Sequence, residues 1–395
     1  PGSMVPDSET GTRLRPLLVA GVVLASVTVA VFWAWPDRTA VSDLVREGRV
    51  ALEADQFELA SQLADRALLR DPGSQAARLL AGEAAAGLGD HVAALKHYDQ
   101  IPDDGGVESL AARCDAGDMQ LFVFNRMSAA EAMYRRAVVL DPDSLIANER
   151  LAYLLGQSAR SWEATEFLLA RVRQSVRARS TYLSYLCFGD NSLDTRERFQ
   201  KYREADPADP APAIALAQIA VFDQQYQRAR ELLETVVAEH PGQVEAQVKL
   251  GRLLLESGDD AVFERWHGQL PADVDRHPGT WLIRGFWCRR HADPVQAARC
   301  FWESLKRDPN NPGANYQLGR LLAALERDDE AEVFLERSRL LNSYVNAVKV
   351  AEKREEVERA VDLAKRLGLA WEAWGWAKLV GQALPQPERT LVTRT

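Results

Sequence analysis

Residues 210–241 read PAPAIALAQIAVFDQQYQRARELLETVVAEHP. Two apolar stripes of helical period run through them, one over Leu216, Ala217 and Ala220, the other over Tyr226, Ala229, Leu233 and Val236. Pro241 closes the copy, because proline cannot continue a helix. The same close recurs along the chain, at Asp71-Pro72, Asp141-Pro142, Asp206-Pro207, His240-Pro241, His277-Pro278 and Asp308-Pro309. The gaps are about 34 residues, or small departures from twice that value, and a fixed period in this range predicts a solenoid. A solenoid of helix pairs builds a binding surface more often than an active site.

Other copies align on the prolines. From Pro278 the pattern is Trp281, Gly285, Cys288, Ala297, Phe301 and Ser304; from Pro312 it is Asn315, Leu318-Gly319, Leu322, Ala331, Leu335 and Ser338. From Val41 it is Gly48, Ala51, Phe57, Ala60, Ala64 and Ala67. Short polar turns such as Ser257-Gly258-Asp259 split each copy into two helices. The small residue at the eighth position (Gly48, Gly82, Ala152, Ala217, Gly251, Gly285, Gly319) lets the two helices approach closely. No copy can bury its apolar faces alone, so the copies must stack.

This pattern resembles the tetratricopeptide repeat family over about Val41 to Asn342, which would hold roughly nine repeats. The match is strongest at Val41–Pro72 and from Pro210 to Asn342, and weaker over 145–207, where the turn and closing proline degrade. The 244–278 copy carries Phe263 where a small residue is expected, so altered packing or a kink is expected there. The resemblance implies an all-α fold, a right-handed α-α superhelix. Its first helices would line a concave groove through Arg49, Glu83, Met119, Phe122, Tyr153, Gln218, Arg252, Phe286, Arg289, Tyr316 and Arg320, with Lys249 and Asn315 nearby. Arg252, Arg289 and Arg320 beside Phe286 and Tyr316 would suit an acidic peptide or a partner's C-terminal tail, since guanidinium groups grip carboxylates and aromatic rings give rigid contact area. The family's carboxylate clamp for chaperone tails is not reproduced.

At the N-terminal side, residues 17–35 read LLVAGVVLASVTVAVFWAW without a charge. Such a run spans roughly 28 Å as a helix, close to the hydrocarbon thickness of a bilayer. Arg13 and Arg15 precede it, and Trp33 and Trp35 stand at the far end, where aromatic belts form. The positive-inside rule then predicts a signal anchor over 14–36 with a short cytoplasmic tail and an extracytoplasmic, periplasmic repeat region. A cleaved signal peptide is the rival reading, served by only a poor cleavage site at Thr28-Val29-Ala30. Pro1-Gly2-Ser3 before Met4 reads as an expression scar. Residues 343–384 read as C-terminal capping helices, and 385–395 as a flexible tail or linker. Trp371, Trp374 and Trp376 cover more than one helix face, so at least one is expected in an aromatic docking patch or against the tail.

The formal net charge is −9, and no basic patch interleaves with aromatics, which argues against nucleic acid as a partner. Cys114, Cys187, Cys288 and Cys300 form no CxxC. Cys288 and Cys300 fall on the facing helices of one copy, where two small buried residues are a simpler reading than a disulfide. The six histidines lack metal spacing, and no GxSxG, Walker loop or GxGxxG follows a strand. Asp103-Asp104-Gly105-Gly106 reads as an inter-helix loop rather than a calcium site. No catalytic residue, metal or cofactor is expected. The sequence therefore predicts a membrane-tethered scaffold that binds a protein through its groove and its Trp-rich end, or alternatively a non-catalytic subunit of a larger membrane enzyme, transport or envelope-assembly complex. A receptor on an organelle's outer membrane, facing the cytosol, is a third expectation.

Overall fold

The computed structural model describes residues 40–158, 160–174, 179, 183 and 196–388. The expected membrane segment with Arg13, Arg15, Trp33 and Trp35 lies outside them, as do Cys187 and the tail beyond 388. Among the described residues no helix is long and apolar enough to cross a membrane. They form nineteen α-helices, one short 3-10 helix and no strand, an all-α solenoid of helix pairs.

Two compact units divide at Leu88. The first holds α1 (Val41–Glu53), α2 (Phe57–Arg70) and α3 (Gln75–Gly87). Its core is built of small side chains, with Ala60, Ala64 and Ala84 around Leu80. The second unit opens with α4 (His91–Asp99), α5 (Val107–Phe122), α6 (Met127–Leu140), α7 (Leu145–Gln157), α8 (Ser161–Gln174) and α9 (Arg196–Ala205). Next come the first, or A, helices of four regular pairs: α10 (Pro210–Phe222), α12 (Val244–Ser257), α14 (Pro278–Arg290) and α16 (Pro312–Ala324). Their B helices are α11 (Tyr226–Glu239), α13 (Asp260–Gly268), α15 (Pro294–Arg307) and α17 (Asp328–Lys349). Both series start at intervals of 34 residues. Two closing helices follow, α18 (Arg354–Leu367) and α19 (Ala370–Leu379).

Local chemistry explains this regularity. Three of the four A helices, α10, α14 and α16, begin with proline at the first turn, where its missing N–H is no loss, and Asp209, His277 and Asn311 accept from backbone N–H groups just past it; α12 starts at Val244 without either device. Asp259 and Asp293 do the same for B helices. Between A and B helices the chain turns through one left-handed residue per copy: Gln224 (φ 59), Gly258 (φ 75), Ala292 (φ 57) and Glu326 (φ 58). The residue after the turn bonds back to the A helix, as in Asp293 N–H to Cys288 O at 3.0 Å, which ends that helix on satisfied carbonyls. A Cβ at Gly251 would lie 2.1 Å from the Trp266 ring, and one at Gly285 would lie 2.7 Å from the Phe301 ring. The eighth position is small because the facing B-helix ring occupies that space.

The 244–278 copy is distorted, as its Phe263 suggests. Phe263 is buried and stacks on Trp287, ring centroids 4.2 Å apart. Its B helix α13 stops after nine residues, and a 3-10 turn over Ala272–Arg276 leads into the next copy.

The end of the solenoid holds a feature the sequence did not reveal. Helix α19 packs on its neighbour α18 and also on the distant α8. Gly375 faces Val172, while Leu169 joins Trp371 and Trp374 in one apolar cluster. The Arg173 guanidinium lies 5.2 Å from the Trp371 ring centre, and that of Arg179 lies 4.9 Å from Trp374. Trp376 is fully buried and donates its indole N–H to the Tyr344 hydroxyl at 2.9 Å. A second long-range bond ties Asp209 to the start of α6, where its carboxylate accepts from Ser128 N–H at 2.7 Å and from the Ser128 hydroxyl at 2.6 Å.

Candidate functional site

The groove residues expected from the sequence lie mainly on α10, α12, α14 and α16. Gln218, Arg252, Phe286 and Arg320 occupy one register position in successive copies. Phe286 is half-buried and meets Phe301 edge-on at 5.3 Å, which fixes its ring. Arg289, one turn on, lies over that ring at 5.0 Å and donates to the side-chain carbonyl of Gln317 on α16. On α16 the Arg320 guanidinium donates to the Tyr316 hydroxyl at 3.1 Å. The Tyr316 side chain is 43% exposed. Neither Arg289 nor Arg320 forms an ion pair among the described residues. Arg252 differs, because it pairs with Glu256 at 3.0 Å along its own helix. That pair is highly exposed, so a competing carboxylate displaces it at little cost. Arg289 and Arg320 are thus braced by rings and an amide, while Arg252, at the register position of Arg320, is held by its own-helix carboxylate.

Two neighbours expected in the groove serve the scaffold instead. Asn315 is buried, and its amide donates to Pro309 O at 3.0 Å and Asn311 O at 2.8 Å. Asn148 makes the same pair of bonds to Pro142 O and Ser144 O, so this asparagine is a staple that holds the proline turn. Lys249 is satisfied internally, 3.1 Å from Glu245 and 3.0 Å from the Gln218 carbonyl oxygen. Glu245 also lies 3.2 Å from His277 Nε2. Burial raises the Glu245 pKa, but Lys249 and His277 outweigh it and bring the carboxyl down to about 2. Lys249 therefore offers its charge to Glu245 rather than to a ligand.

The other expected positions scatter. Met119 is buried and Tyr153 packs against the core. Phe122 is exposed with the Arg198 guanidinium 5.5 Å from its ring. In the first unit Arg49 is exposed and Glu83 is half-buried, its pKa raised by burial against the lowering effect of Arg49. The expected aromatic docking patch is not on the surface. Trp371, Trp374 and Trp376 are all buried, because α19 is covered on one side by α18 and on the other by α8 and the chain at Leu384. Sequence spacing could show that one helix face was insufficient for three rings, but not that two faces were covered.

Little else offers chemistry. Cys288 and Cys300 are free thiols that touch each other, and burial pushes Cys300 up to about 12. Burial likewise pushes Cys114 up to about 12, which leaves neither thiol as a nucleophile near neutral pH. Among the described residues no group of His, Cys, Asp or Glu could hold a metal ion. In the loop at 103–106, Asp103 is taken by Arg113 at 2.6 Å and Arg136 at 2.6 Å. The buried Arg113 also donates to Tyr98 O at 2.9 Å, so this loop is a structural tie.

Family comparison agrees with the repeat reading. Residues 45–106 and 220–276 each match a tetratricopeptide repeat model. No curated protein matches the chain in sequence. Among solved structures, a tetratricopeptide repeat protein from Parabacteroides merdae aligns at 12% identity over 71% of this chain and 98% of its own, with a TM-score of 0.30. The Cut9–Hcn1 hetero-tetramer of the APC/C aligns at 14% identity over 87% and 74%, with a TM-score of 0.40. Yeast Tom70 aligns at 11% identity over 88% and 90%, with a TM-score of 0.32. Over residues 45–106 and 220–276 the chain thus matches tetratricopeptide repeats, a scaffold suited to binding proteins.

Proposed function

We propose that this protein is a non-catalytic scaffold that grips an acidic, extended segment of a partner protein along α12, α14 and α16. In this reading the helix pairs coil right-handedly and place the A helices on the concave side. One observation carries the proposal: Arg289 and Arg320 are held beside Phe286 and Tyr316 without any carboxylate partner among the described residues. A pre-braced guanidinium loses little freedom on binding and offers two parallel donors to a carboxylate. Phe286, Tyr316 and the Gln317 amide would supply contact area and a hydrogen bond to the segment's backbone.

The apolar run 17–35 would tether this scaffold to a membrane, with the repeats on the extracytoplasmic side, and so raise the partner's effective concentration there. Retention of the full chain in the membrane pellet after alkaline carbonate extraction supports the tether; release into the supernatant sinks it. Affinity capture from mild detergent, with mass spectrometry, tests the groove. The comparison is the full chain against Arg252→Glu, Arg289→Glu and Arg320→Glu combined. A partner lost from the variant supports groove recognition. A partner retained in full stoichiometry overturns it and favours the role of a permanent complex subunit.

A further inference from the structure

Three large apolar side chains on the B helices stand where the other regular copies carry polar or small residues. Val295 is 65% exposed, Trp302 48% and Val333 65%. Moving along the chain by the repeat period, Trp302 corresponds to Glu234, Gly268 and Glu336, Val333 to Glu231, Arg265 and Arg299, and Val295 to Gln227, Ala261 and Asp329. These positions face outward in the neighbouring copies, so stacking does not require them to be apolar. Phe334 differs, since its counterparts Trp266 and Cys300 are apolar too.

The exceptions converge. Trp302 meets Phe334 edge-on at 5.8 Å. Together with Val295 and Val333 they wall a groove between α15 and α17, floored by Leu322 and Leu325, with a volume of about 510 Å³. Val295 and Trp302 are two helical turns apart, so the wall is roughly 10 Å long. The polar rim is uneven. Arg327 is paired with Glu330 at 2.6 Å, whereas Arg299 has no ion pair among the described residues. A contiguous exposed apolar patch rimmed by charge marks an interaction site, while singly scattered apolar residues do not.

We propose that this groove docks an amphipathic helix of a partner protein, presenting apolar residues at i, i+4 and i+7 and an acidic residue to Arg299. A groove between two helices accepts the side-chain ridge of a third, and two turns match the span from i to i+7. The unpaired Arg299 sets the charge of the guest. This surface is separate from the arginine row on the A helices and stands or falls independently of it.

The test is to pan the full chain against a displayed library of helical peptides randomised on one face. Recovered peptides are then titrated by fluorescence anisotropy against the full chain and against Trp302→Glu and Val333→Arg. Both substitutions install what other copies of this solenoid carry at the same position, so the fold accommodates them; circular dichroism melts verify this. The expected result is enrichment of sequences with that apolar spacing and an Asp or Glu, each weakened roughly tenfold or more by either substitution. Arg299→Glu should turn the preference towards Lys, and Arg289→Glu with Arg320→Glu should change nothing. Failure to enrich any helical sequence over a scrambled library overturns the proposal, as does equal binding to the variants. Self-association of the full chain in sedimentation velocity, abolished by Val333→Arg, overturns it in favour of a second copy on this face.

Discussion

Replacing Asp209 tests how the second unit is held together across a long stretch of chain. Its carboxylate is buried and does two jobs. It caps its own helix α10 by accepting from Ala211 N–H at 2.9 Å, and it accepts from both the N–H and the hydroxyl of Ser128 on α6. One negative charge thus serves two helix N-termini, where partial positive charge collects. In Asp209→Ala the lost cap costs about 1 kcal/mol. The two lost charge-assisted bonds from Ser128 add about 2 kcal/mol, a modest figure because Ser128 is exposed and water takes its donors. The loss is then roughly 3 kcal/mol, which amounts to a roughly hundredfold change in an opening equilibrium. Repeat arrays do not unfold as one cooperative block, so the assay should be local. Hydrogen exchange by mass spectrometry should show faster exchange in the first turns of both α6 and α10, while the first unit is unchanged. Asp209→Asn keeps one acceptor and should lose about a third of the effect. Ser128→Ala combined with Asp209→Ala should cost clearly less than the sum of the two. Exchange that quickens only in α10, or strictly additive costs, would refute the bridge.

Other outcomes follow from the repeat code. Ala292 holds the left-handed turn that Gly258 fills one copy earlier, so Ala292→Gly should stabilise by about 0.5–1 kcal/mol in a thermal melt; a loss of stability would contradict the turn assignment. Gly251→Ala should destabilise by about 1–2 kcal/mol despite its better helix propensity, because the hydrogen-bonded Trp266 ring cannot retreat, and a neutral result would refute the close contact. Glu245 has a folded pKa near 2 against an ordinary value of 4.5, so its contribution is full above about pH 5 and disappears as pH falls through 2. At most it is worth on the order of 3 kcal/mol. Glu245→Gln should flatten the acid limb of the melting profile in that window, and an unchanged limb would remove Glu245 from the account.

The fold was largely legible because its signals are local and recur. The prolines, the capping Asp and Asn residues and the small eighth position each act within a few residues, and repetition makes each visible against background. Phe263 signalled the distorted copy for the same reason, as a bulky exception at a small position. What could not be read is non-local. Nothing in the spacing of Trp371, Trp374 and Trp376 reveals that α8 covers them, or that Asp209 reaches Ser128. The groove was half legible. Register placed Arg252, Phe286, Arg289, Tyr316 and Arg320 on the A helices, but it could not distinguish the braced Arg289 from the neutralised Lys249. Asn315 looked like a polar groove residue and is a buried staple. Its recurrence as Asn148, six residues after a proline carbonyl acceptor in both copies, was the available clue.

The most direct measurement of the central claim is a salt-dependent titration of the full chain with fluorescein-labelled short peptides, one series rich in Asp and Glu around a phenylalanine and one rich in Lys. The account predicts that acidic peptides bind, that binding weakens as salt rises, and that Arg289→Glu with Arg320→Glu abolishes it. Equal binding of the Lys series, or acidic binding untouched by the double reversal, would contradict the account.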